Sequence, residues 1–456
     1  MWPDLAASAL NAATCVLEAG VTHIAVITTF AEIFEAFSLC RVAASQVDML
    51  RRHGHQVTFV ATEGCPSRGA FAHPDIANVR IPYAVLVSEQ DALDRPAAFR
   101  EDVDYIKGKL RPVLATCAVA ITHDILLIWH HLAYNVACRE LALEFPRVRW
   151  LHWIHSAADT NRDYPRGDPR ATRFIPFPHA QFVYPNAVDA PRVARQFGVP
   201  EHDVRVVPHA MDVAETFDFH PISRALVHRF RLYEPDIFAI YPARLDRGKQ
   251  AEKIVRLFAE LKRAGASVRL LLLNFHSTGE HFIYYRDEIL AEAATLGLDG
   301  DDVVFTNALR ELPPIAPAEM RRAAIEMPHR VVMDLFHLSD IYVHPSASET
   351  YSLVCQEAAI SGNLLVLNDD FPAMREVYGD EALYVKFSST LFHTIHTPNE
   401  NAYYAEVARD ILTLLDTYPT LAQRRRIRRT RNPDAVFQQY LQPLLDEILA
   451  EVAKAG

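Results

Sequence analysis

"IFAIYPARLDRGKQAEKIVRLFAELKRAG", residues Ile237–Gly265, decides the fold. Its first part, "IFAIYPARL", is an apolar run of strand length with no polar alternation. Such a run marks a strand covered on both faces, the condition of a parallel sheet. The loop that follows carries Arg244, Arg247, Gly248 and Lys249. "KQAEKIVRLFAELKRAG" then places apolar residues at helical spacing and stops at Gly265. Strand, loop and helix of these lengths make one α/β unit.

The rhythm extends both ways. Residues 3–19 read as a helix, and "SLCRVAASQVDMLRRHG" as another. "THIAVITTF", "HQVTFVAT", "VAITHD", "VRWLHWIHS", "AQFVYPN" and "VRVVPHAMD" read as strands in the first half. "SVRLLLLNF", "DVVFTN", "DIYVHPS" and "NLLVLND" continue the series in the second. A chain of 456 residues is too long for one core. The expectation is two doubly wound α/β domains, 1–210 and 211–433, with the closing helices of 434–456 open to packing on the first.

Composition narrows the function. A net charge of −11 argues against non-specific binding to nucleic acid or to an anionic membrane. One basic run, Arg424–Arg431 ("RRRIRRTR"), is either a solvated helix face or a patch for an anionic lipid or polyanion. The six cysteines are scattered without a C-x-x-C pair, which suggests reduced thiols in a cytoplasmic protein rather than a disulfide or zinc framework. The first Lys or Arg is Arg41, so the start lacks the basic region of a secretory signal. No apolar run approaches the ~20 residues of a membrane span. No G-x-G-x-x-G follows a strand, and Walker A, H-E-x-x-H and G-x-S-x-G sequences are absent.

Two stretches carry chemistry. Ligands of open α/β sheets sit outside the carboxyl ends of the strands, where helix N-termini attract anions. Arg244, Arg247 and Lys249 at such a place suit a phosphate, although cations also simply decorate surface loops. The second stretch is "SETYSLVCQEA", Ser348–Ala358. Glu349 falls in a loop, and Glu357 falls inside a helix expected to start at Ser352 as its N-cap and to end at Gly362. That helix reads as apolar nearly all round, hence largely buried. A buried glutamate needs donors, which sugar hydroxyls supply.

Glu349-x7-Glu357, preceded by "HPSAS" and followed by "AAISGN", resembles the E-x7-E element of retaining glycosyltransferases of the GT-B fold, family 4 type. "YPARLDRGKQAEKIVRLFAEL" looks like that family's strand–Arg–Lys–helix segment. "VVPHAMD", Val206–Asp212, is similar to its interdomain turn, and "NDDFPAMREVYGDEALYV" to its G-G-x-P-E run. The four occur in the family's order over roughly 206–388. The resemblance implies a GT-B fold, two Rossmann-like domains facing each other across a cleft. It implies a retaining, metal-independent hexosyltransferase using a UDP-, GDP- or ADP-sugar as co-substrate, with no cofactor, and an unknown hydroxyl acceptor.

The resemblance also implies roles. Arg244 and Lys249 would neutralise the departing diphosphate, Glu357 would hold the ribose, and Glu349 would bind the transferred sugar. Backbone amides of Tyr351, Ser352 and Leu353 would face sugar and phosphate, and Thr306–Leu309, with Asn307 and Ala308, would lie near the base. His155 at the end of "WLHWIHS" would contact the donor sugar, with His152 second. His123 and Asp124 are weaker candidates. His130 and His131 read as helical, and His209 stands where the family has Asn and is not read as catalytic. The chain departs from the pattern in three places. "TTFAEIFEAF" lacks the glycines of the family's first phosphate loop, Phe371–Ala373 replaces its Gly-Gly, and Arg310–Met333 is a long connection, read as a lid or partner surface. The first departure keeps open a non-catalytic nucleotide-sugar-binding protein, and a GT-B epimerase is a further alternative.

Overall fold

The structure, a computed structural model, describes residues 21–34, 36–81, 89–125, 131–156, 173–273, 279–309, 311–349, 351–388 and 399–454. The helix read at 3–19 and His130 lie outside them. The chain divides into two compact units, Met1–Met211 with Pro433–Gly456, and Asp212–Asn432.

The first unit is built on one parallel sheet of seven strands: β1 (His23–Ile27), β2 (Gln56–Thr62), β3 (Ile76–Ile81), β4 (Val119–His123), β5 (Arg149–Trp153), β6 (Ala180–Tyr184) and β7 (Val204–Val206). Their order is β3-β2-β1-β4-β5-β6-β7, a doubly wound order with its reversal between β1 and β4. The unbroken apolar run of β1 has its reason here. Ala25 and Ile27 enter the core on one face, while Ile24 and Val26 enter the core on the other. The closing segment supplies Phe437, Leu441, Leu444 and Ile448 to that second face, so 434–454 packs on this unit. His53 stacks on Phe437 at 3.8 Å between ring centroids.

β3 has no counterpart among the strands read from sequence, nor does β13 below. Both are edge strands. Asn78 and Arg80 interrupt the apolar run of β3, and β13, "LYV", is only three residues long.

The second unit holds two three-stranded parallel sheets. One joins β8 (Ile237–Tyr241), β9 (Val268–Leu272) and β10 (Val303–Phe305) in the order β10-β9-β8. The other joins β11 (Ile341–His344), β12 (Leu364–Asn368) and β13 (Leu383–Val385) in sequence order. β8 and β11 meet at the seam through Asp340. Its backbone N–H donates to the Phe238 carbonyl at 2.8 Å, and its carboxylate accepts the Phe238 N–H at 2.8 Å.

The basic run is in part structural. It forms the helix Pro419–Thr430, and Arg428 on it is buried. Arg428 donates to Asp340 Oδ2 at 2.7 Å, to the carbonyls of Leu232 and Tyr233 at 3.1 and 3.0 Å, and to that of Pro235 at 2.9 Å. Arg424 bonds the Gly362 carbonyl, and Arg425 pairs with Asp416 at 2.7 Å. Much of the run thus holds the seam from inside. Arg426 stays exposed, so the run is solvated on one side and structural on the other. No described helix is long and apolar enough to cross a membrane.

Candidate functional site

The carboxyl ends of β8 and β11 place two loops side by side. After β8, the Tyr241 hydroxyl donates to the Lys249 carbonyl at 2.8 Å and folds the loop back over the strand. A 3-10 turn, Arg247–Lys249, leads through Gln250 at φ 54° into the helix Ala251–Arg263. The backbone N–H of Ala347, in the loop after β11, donates to the Gly248 carbonyl at 2.8 Å. This bond sets Lys249 beside Glu349, with Lys249 Nζ 3.4 Å from Glu349 Oε2. The buried His344 at the end of β11 lies 3.6 Å from the same oxygen. Burial is the main force holding the His344 imidazole below its ordinary pKa, so it stays neutral beside the carboxylate.

Arg244 lies apart from this pair. Its side chain is exposed and makes no hydrogen bond or ion pair among the described residues. The turn Thr306–Ala308 follows β10 at the same end of the unit, with Thr306 buried and Ala308 exposed.

The helix carrying Glu357 differs from its sequence reading. Leu353–Ile360 is apolar but not largely buried: Leu353 is 69% and Ile360 85% exposed, and only Cys355 and Ala358 point into the core. An apolar composition reports which residues could be buried, whereas eight residues at a surface turn bury one stripe only. Ser352 stands at the N-cap position without a capping hydrogen bond from its side chain. It adopts φ 55°, a left-handed conformation costly for a non-glycine residue. The Tyr378 hydroxyl lies 2.9 Å from the Ser352 carbonyl and holds this bend. The amides of this turn have no hydrogen bond from a Ser352 side-chain cap. Glu357 is half-buried and pairs with His329 Nε2 at 2.8 Å.

His329 begins the helix His329–Leu338 and forms part of the wall of a pocket of about 510 Å³ with His220, Ile222, Arg322, Glu326 and Met327. The long connection therefore contributes to a pocket, through the helix Pro317–Ile325 and the turn after it. Sequence reasoning missed His329, His344 and Tyr378. His329 and Tyr378 act through partners 28 and 26 residues away, so no local pattern marks them, and His344 reads from sequence as part of its strand.

In the first unit the carboxyl ends of β4 and β5 bring three histidines together. His123 Nδ1 and His155 Nε2 are 2.8 Å apart, with rings stacked at 5.1 Å, and His155 stacks on His209 at 5.4 Å. Asp124, at φ 53°, accepts the His155 backbone N–H at 2.9 Å and fixes the strand end. His152 points the other way, into the core, where Thr122 Oγ1 lies 2.8 Å from its Nδ1. The Gly-free loop is tied down by Thr62, whose hydroxyl donates to the Phe30 carbonyl at 2.8 Å, and by Thr29, 2.9 Å from His131 Nε2. Phe34 and Phe37 remain about half exposed on it. Among the described residues no three His, Cys, Asp or Glu side chains group to hold a metal ion.

Burial holds these imidazoles neutral. His152 and His155 are pushed down to about 3, and His123 well below its ordinary value. The unfolded chain takes up protons near pH 6.5 that the folded unit refuses until about pH 3. The stabilising difference is therefore whole above pH 6.5 and is lost as the pH falls through that window. The loss is on the order of 1.4 kcal/mol per pH unit for each histidine. Urea midpoints read by tryptophan fluorescence should drop clearly between pH 7.5 and 5. A flat midpoint would mean that the cluster is protonated in the folded unit.

No family model and no curated protein matches the chain. Among solved structures it is similar to a glycosyltransferase from Rickettsia africae, at 11% identity over 94% of this chain and 98% of that one, with a TM-score of 0.35. It is similar to a sucrose-phosphate synthase from Thermosynechococcus elongatus, at 17% identity over 94% and 100%, with a TM-score of 0.36. It is also similar to an α,α-trehalose-phosphate synthase from Burkholderia xenovorans, at 12% identity over 94% and 100%, with a TM-score of 0.33. Likenesses this distant carry no argument about the chemistry of this chain, and the two α/β units stand on the strand order above.

Proposed function

We propose that the protein is a retaining glycosyltransferase that moves a hexose from a nucleotide-diphosphate sugar to a hydroxyl acceptor. The observation that carries the reading is the Lys249–Glu349 pair, an ammonium and a carboxylate on two loops joined by the Ala347–Gly248 bond at the carboxyl ends of β8 and β11. An ammonium there neutralises charge on a departing diphosphate, and the exposed guanidinium of Arg244 on the same loop adds a second cation. Glu349, paired with Lys249, takes hydroxyls of the transferred sugar. Glu357 takes the ribose hydroxyls in exchange for His329. The motif order in the sequence supports the same assignment.

Product anomer analysis by NMR with UDP-, GDP- and ADP-sugars tests the reaction. Inversion at the anomeric carbon, or no transfer with any donor, would overturn it. A second reading, nucleotide-sugar binding without transfer, is favoured by the Gly-free loop with its exposed Phe34 and Phe37, and any detected transfer excludes it. Glu357→Ala should weaken nucleotide binding by about 10- to 100-fold, as loss of a hydrogen bond to a charged group does. Calorimetry with the nucleoside diphosphate reads this directly. An unchanged Kd would remove Glu357 from the ribose.

A further inference from the structure

His155 is oriented by a chain of buried groups that extends well behind it. Gln46, on the helix Ser38–Arg52, is 1% exposed, and its Oε1 lies 3.0 Å from His123 Nε2. An amide oxygen accepts and cannot donate, so His123 must carry its proton on Nε2. A neutral imidazole then has a bare lone pair on Nδ1. His155 Nε2, 2.8 Å away, must donate to it. That leaves His155 Nδ1 unprotonated, and it makes no hydrogen bond among the described residues.

We propose that Gln46 and His123 are positioning residues that hold His155 in its Nε2–H tautomer, so that His155 Nδ1 accepts a hydrogen bond from a ligand hydroxyl and does not bind phosphate. The desolvation that keeps both rings neutral agrees with this, because a protonated His155 would lose its lone pair. The ring is further held by its stacking on His209 and by the Asp124 bond to its backbone. The assignment of this hydroxyl to the donor sugar or to the acceptor rests on the transferase reading. The tautomer does not.

The test is imidazole nitrogen NMR on the full chain without substrate, with His155 assigned through His155→Asn. The expected result is a pyridine-type signal for Nδ1 and a pyrrole-type signal for Nε2. The reverse pattern would overturn the proposal. It would mean that the Gln46 amide N–H faces His123 and that His155 is a donor suited to phosphate. Gln46→Leu should release the chain, giving His155 signals averaged between the tautomers and a kcat for transfer lower by about tenfold, the worth of one hydrogen bond. Gln46→Glu, whose carboxylate also only accepts, should restore the single tautomer. An unchanged His155 spectrum in Gln46→Leu would remove Gln46 as the anchor. If the spectra agree but no sugar is transferred by the wild type, the transferase reading fails and the tautomer assignment stands.

Discussion

Lys249→Ala is expected to lower the rate of sugar transfer by about 100- to 1000-fold, the usual loss when one preorganised charge on a departing group is removed. The geometry explains the size. Lys249 lies 3.4 Å from Glu349, and its position is over-determined by the Tyr241 hydroxyl below and by the Ala347–Gly248 bond beside it. Arg244 belongs to the same loop but has no partner among the described residues, so its removal should cost less. The effect should fall mainly on kcat, since charge on the diphosphate grows toward the transition state. A folded Lys249→Ala protein with an unchanged kcat would disprove the assignment. The same variant should keep its thermal stability, because the ammonium is partly exposed and its ion pair is of the weak surface kind.

Arg428→Met should destabilise the second unit by about 3–5 kcal/mol, the cost of leaving one partner of a buried ion pair uncompensated. Asp340 would be stranded beside the Phe238 amide, and three backbone carbonyls of 232–235 would lose their donor. The seam between β8 and β11 should open first. The chain's four tryptophans, at 2, 129, 150 and 153, all belong to the first unit. Urea unfolding followed by circular dichroism should therefore show an early transition that tryptophan fluorescence misses. A double variant that also carries Asp340→Ala should lose less than the sum of the two single losses, because the pair shares one interaction. Coincident, unshifted transitions in Arg428→Met would show that the arginine does not hold the seam.

These two predictions divide along the line between what is local in the chain and what is not. The central strands were legible from sequence because a strand covered on both faces must be apolar throughout, as "HIAVI" and "IFAIY" are. β3 and β13 were not, since Asn78 and Arg80 interrupt β3 and β13 has only three residues. Helix Leu353–Ile360 was legible as a helix but not in its burial, which depends on what packs against each side.

The sequence by itself determined the α/β class, the central strands, and the positions of Arg244, Lys249, Glu349 and Glu357 in loops or helices that follow strands. Each of these follows from residue type and spacing over one βα unit. Only the tertiary structure decided that Lys249 meets Glu349 while Arg244 stands clear, that Glu357 pairs with His329, and that Gln46 stands behind His123 and His155. It alone turned Arg428 inward onto Asp340. The physical reason is common to all of these. A charge or a lone pair is placed by its partner, and here the partners lie 28 to 100 residues away along the chain.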